Sequence, residues 1–223
     1  MMNNIFSMFD PSTNLFIIPM NWIIMLLIIL FLPNNFWLIN NNFTLIFKKI
    51  FSLMYNEFKI ILNNKINNFN LFFISLFMMI SLYNFMGLFP YIFTSTSHLS
   101  INFSLAIPLW LTLMIYGWIN KTNHMFTHLV PQNTPNLLIM FMVLIELISL
   151  FMRPITLMIR LTANLIAGHL LLTLLSSMGS KLSFILMNNL LLIQIILLIL
   201  ESAVSIIQAY VFSILITLYT SEI

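Results

Sequence analysis

Five ionisable side chains stand in stretches otherwise built from Leu, Ile, Met and Phe: Glu146, Arg153, Arg160, His169 and Glu201. An ionised group at the centre of a bilayer costs about 2.5–3.5 kcal/mol on insertion scales, so each reads as part of a functional site facing protein or water. Their spacing adds to this. Glu146, Ser149, Arg153, Thr156, Arg160 and Asn164 step by 3, 4, 3, 4 and 4, which places them on one face of one helix. Gln194, Glu201 and Gln208 recur every seven residues, with Ser205 between, and make a second stripe. Two such stripes either line a hydrophilic passage or close into a structural network, with Glu146 and Arg153 paired two turns apart. The chain has five alanines, and four of them, Ala163, Ala167, Ala203 and Ala209, fall in these two segments. Ala163 and Ala167, one turn apart, admit a neighbouring helix close beside Arg160 and Asn164.

Other chemistries are absent from the sequence. Without cysteine there is no disulfide, thiolate metal site or cysteine-held cluster. No glycine-rich loop followed by Lys occurs, so no nucleotide site is readable. Only His169 lies well inside an apolar segment, which rules out a two-histidine haem. His124 and His128 are spaced i, i+4 but sit in a loop without nearby carboxylates, so no metal site is expected there. His98 reads as a surface residue. No cofactor is expected.

The elements that hold these residues follow from composition. Of the 223 residues, 61% are hydrophobic and 6% charged, with a net charge of +3; mean hydropathy is +1.05. A soluble domain carries about 25% charged residues, so this chain is an all-α polytopic membrane protein. The small net charge gives no reason to expect nucleic acid. The first ten residues carry Asp10 and no basic residue, so no cleaved leader is expected.

One membrane domain, 1–223, contains about five embedded helices. The first span is 14–32, the next two are 71–89 and 99–119. Between the first two, 36–68 carries Lys48, Lys49, Glu57, Lys59 and Lys65 among apolar residues and reads as an amphipathic helix in the interface. The segments 136–177 and 182–218 are too long to stand upright in a hydrocarbon core of about 30 Å. They form a long tilted hairpin across a turn at 179–181, with Pro154 and Gly168 as possible kinks, unless both are ordinary spans with trimmed ends. The lysines after the first span and Lys121 after the third place those loops on the cytoplasmic or matrix side, with the N-terminus opposite.

The run Arg160-Leu-Thr-Ala-Asn164-Leu-Ile-Ala-Gly168-His169 resembles the Arg-Leu-x-x-Asn-x-x-x-Gly-His signature of the a subunits of rotary (F-type) ATP synthases, in their mitochondrial form. Arg153-Pro154, Glu146, Glu201 and the run Gln208–Phe212 fit the same family, and the likeness covers essentially the whole chain. It implies a proton-translocating stator subunit of the membrane sector in the mitochondrial inner membrane. Such a subunit offers two offset half-channels to a ring of c subunits and is not catalytic by itself. It implies partners: the ring's essential carboxylates, the peripheral stalk and other membrane-sector subunits, and lipid. It also implies roles. Arg160 faces the ring, His169 and Glu201 handle protons together, Gln208 and Asn164 surround the arginine, and Glu146, with Arg153 on its stripe, belongs to the path toward the matrix. Two other readings remain at this point, an ion-coupled secondary transporter and a structural subunit of a respiratory complex. Neither internal repeats nor paired span histidines favour them.

Overall fold

The computed structural model describes residues 5–12, 14–15, 18–19, 21–23, 32–33, 39–62, 69–89, 92–130, 135, 138–179 and 183–222. A 3-10 turn over Ile5–Phe9 is followed by two short antiparallel strands, β1 (Asn14–Leu15) and β2 (Ile18–Pro19), with Leu15 opposite Ile18. The expected first span therefore begins in a hairpin instead of a helix. Pro19 has no amide hydrogen and its ring disfavours the helical region for the residue before it, which accounts for the difference. Residues 16, 17, 20 and 24–31 of that span lie outside the described residues, as do Lys65 and 180–181 of the expected turn.

Residues 21–23 are helical, and six longer α-helices follow among the described residues: α1 (Asn42–Ile61), α2 (Asn70–Gly87), α3 (Leu99–Asn120), α4 (Thr122–Leu129), α5 (Ile139–Met178) and α6 (Phe184–Glu222). Four of them, α2, α3, α5 and α6, are long and apolar enough to cross a membrane. The 40 residues of α5 run unbroken past Pro154 and Gly168, about 60 Å at 1.5 Å per residue. With no water to satisfy hydroxyls inside such helices, Ser and Thr bond back to their own turn. Ser149 donates to the Glu146 carbonyl and Thr156 to that of Arg153, at 2.8 and 3.0 Å.

The core lies where α2 crosses α6 and α1 covers both. Phe58 of α1, Ile80 of α2 and Phe212 of α6 are fully enclosed there. On α1 the periodicity turns Met54 and Phe58 inward and leaves Lys48, Lys49, Glu57 and Lys59 exposed. Glu57 accepts a 3.0 Å hydrogen bond from the Tyr210 hydroxyl, fastening α1 to α6. The connection from α2 to α3 folds inward, burying Phe93, Thr94, Ser95, Thr96 and Ser97. His98 is part of this packing and not the surface residue its loop position suggested. Its ring lies 5.6 Å from that of Trp22 and 5.1 Å from that of Phe93, and its Nε2 is buried without a partner.

Candidate functional site

The buried arc of α5 runs through Pro154, Met158, Leu161, Thr162, Leu165 and His169. Arg160 lies on the opposite side of the helix, exposed together with Thr156, Ala163, Asn164 and Ala167. Among the described residues no carboxylate pairs with it; the salt bridge found there is between Arg153 and Glu146. Its backbone is held from behind, since Gln208 of α6 donates its Nε2 hydrogen to the Arg160 carbonyl at 3.3 Å. The small residues beside Arg160 therefore face outward, and among the described residues no other helix covers them.

Two polar pockets flank this surface. The first lies toward the start of α5. Arg153 Nη2 stands 3.8 Å from Glu146 Oε1, both side chains about one-third exposed. The Arg153 guanidinium also lies over the Tyr219 ring, 5.1 Å from its centre, a contact of about 0.5–2 kcal/mol depending on desolvation. These three residues line a cavity of about 90 Å³ with Trp110, Trp118 and His128. Glu146 and Arg153 thus belong to the stripe of Arg160, but α3, α4 and the end of α6 cover them, whereas Arg160 is exposed among the described residues.

The second pocket lies beyond Arg160. Gly168 brings α6 close, for a β-carbon there would stand 2.8 Å from Glu201 Cδ. His169 is 7% exposed, and its ring lies close to the Gly87 backbone at the end of α2. The edge of Phe9 meets that ring at 6.3 Å. Asn164, Gly168, His169, Glu201, Ser205 and Gln208 all border one cavity of about 20 Å³, enough for a single water. His169 Nε2, both Glu201 carboxylate oxygens and Gln208 Oε1 are buried without a protein partner. His169 also borders a larger groove of about 390 Å³, with Thr94, Thr173, Ser176 and Gln194 among its walls. Asn84 of α2 supports α6 beside the cavity, its Nδ2 3.4 Å from the Ser205 carbonyl.

The model of the ATP synthase A chain family matches residues 13–221. The chain belongs to that family. It is 56% identical to ATP synthase subunit a of Locusta migratoria over 224 residues, covering the whole of both chains. The subunits a of Drosophila melanogaster and Aedes albopictus are 55% and 54% identical, again over full length. With the family comes its function: a proton-translocating stator subunit of the ATP synthase membrane sector, multi-pass in the mitochondrial inner membrane. That membership displaces the transporter and respiratory-subunit readings.

Of the residues singled out in the sequence, Asn164, Gly168, His169, Glu201 and Gln208 border one cavity in the ATP synthase fold, and Arg160 is tied to this group only through its carbonyl, which Gln208 holds. Glu146 and Arg153 form a separate one. Sequence reading missed Tyr219, Asn84, Thr94 and the Phe9 contact. Each reaches the site from an element remote in sequence, and only a polar residue in an apolar helix, as at Asn84, was there to flag it. Gly168 was read as a hinge, whereas its missing side chain makes room for Glu201.

Proposed function

We propose that protons cross this subunit in two unconnected halves, meeting a ring carboxyl group at the exposed face of α5 on either side of Arg160. One half runs from the groove beside Thr94 and Gln194 to His169, through the one-water cavity shared with Glu201, and out beside Asn164. The other runs from the Arg153–Glu146–Tyr219 cavity toward the face bearing Lys121. The lysines Lys48, Lys49, Lys59 and Lys121 assign that face to the matrix, and the N-terminal turn at His169 to the intermembrane space.

The observation that carries this reading is an exposed, uncompensated arginine between two separated polar pockets. Arg160 is seven residues from Arg153 and nine from His169, about 10 and 14 Å along the helix. His169 and Arg160 also lie on opposite sides of α5, so the helix backbone itself separates them. A guanidinium stays charged under all working conditions. Set against lipid, it needs a counter-charge, and a carboxylate brought by a partner supplies one. Arg160 favours the ionised form of that group and helps its proton leave. A neutral carboxyl group then travels through lipid where a bare carboxylate pays heavily. The positive charge also interrupts any continuous chain of proton carriers. The membrane potential supplies about 2.3 kcal/mol per charge per 100 mV, which biases the direction. The chain itself breaks and makes no substrate bond.

The test is ATP-driven proton pumping and passive leak in membranes holding equal amounts of assembled complex. Arg160→Lys keeps charge but loses the planar fork, and is expected to abolish coupled pumping. Arg160→Ala is expected to add passive leak. Near-normal pumping by Arg160→Lys overturns the proposal.

A further inference from the structure

The loop histidines lie differently from what their sequence neighbourhood suggests. His124 and His128 stand on α4, both exposed, with their Nε2 atoms 3.3 Å apart and ring centres 4.5 Å apart. Two imidazole nitrogens bound to one tetrahedral Zn²⁺ at about 2.0–2.1 Å are separated by about 3.4 Å. The pair therefore already has the bite of a chelate. The fold brings the pair to the Arg153–Glu146 cavity, because His128 lines it with Glu146, Arg153 and Tyr219, while Glu146 itself stays paired with Arg153. His128 thus reaches from the exposed surface of α4 to the cavity wall.

We propose that His124 and His128 bind a borderline transition-metal ion, of which Zn²⁺ is the representative, at the mouth of the Arg153–Glu146 cavity, and that the bound ion closes it. Imidazole suits such ions. Among the described residues no cluster of three or more metal-binding side chains occurs, so water completes the coordination and the ion exchanges readily. Bound there, the dication occupies the surface end of the cavity and repels a proton passing through it. The closure rests on the proposed exit route; the metal site does not.

The experiment uses the assembled complex in inner-membrane vesicles of known orientation. Zn²⁺ is titrated against ATP-driven pumping, and bound zinc is counted on the purified complex. Inhibition is expected from the face that exposes α4, reversible by EDTA. His124→Gln and His128→Gln are each expected to raise the inhibitory midpoint at least tenfold, relative to the variant's own zinc-free rate, and to lower bound zinc. An unchanged midpoint and unchanged bound zinc in the double variant overturn the site. Zinc bound through both histidines without inhibition overturns the closure and the exit route, and leaves the site standing. Sidedness needs no variant: inhibition of the wild-type complex from the opposite face alone also overturns the closure.

Discussion

Gly168→Ala tests the second pocket most directly. The added methyl would stand 2.8 Å from Glu201 Cδ and 2.9 Å from Oε1. Non-bonded carbons settle at about 3.5–4.0 Å, so the carboxyl group must retreat by roughly 1 Å. The helix itself gains, since Ala is favoured over Gly by about 1 kcal/mol in a helix interior, and assembly should be preserved. The cavity is only about 20 Å³, and a methyl group beside it excludes the water that would join His169 to Glu201. A shift of about 1 Å in a group that must transfer a proton is worth on the order of 100-fold in rate. Pumping is therefore expected to fall ten- to a hundredfold at equal complex content. Glu201→Asp in the same chain withdraws the carboxyl by one methylene, roughly 1.5 Å, and should recover part of the loss. Full pumping by Gly168→Ala, or a double variant no faster than Gly168→Ala alone, refutes the geometric argument.

At the first pocket, Arg153→Lys is expected to keep the ion pair with Glu146 and cost less than tenfold in pumping. Arg153→Met leaves that partly buried acid unpaired and should cost more, both read in the same pumping assay. Asn84→Leu removes the bond to the Ser205 carbonyl. Such interhelical bonds in membranes average about 0.6 kcal/mol, so a small downward shift of the unfolding midpoint in detergent is expected. An impermeant amine reagent should modify Lys59 and Lys121 from the matrix side alone, and modification of Lys59 from outside would contradict the orientation.

The polar stripe, the small residues and the four long apolar helices were legible because each is written within one continuous segment of sequence. Arg160 and His169 could be placed on opposite faces of α5 from their nine-residue spacing alone. What escaped was everything set by contacts between distant segments. Nothing near Arg153 announces the Tyr219 ring, and a run such as Phe93–Ser97 reads as loop because its burial depends on α5 packing over it. The start of the first span misled for a different reason: apolar composition was strong there, while a single proline decided the local backbone.

The two ends of the described chain meet the two pockets. Phe9 touches the His169 ring, and Tyr219, four residues before Ile223, lies against Arg153. A fluorophore attached beside Phe9 or Tyr219 would thus stand against one of the two pockets. The lysine-bearing surface of α1 offers a quieter attachment point. A label beside Phe9 or Tyr219 that slows pumping would be reporting its own position and not a fault in assembly.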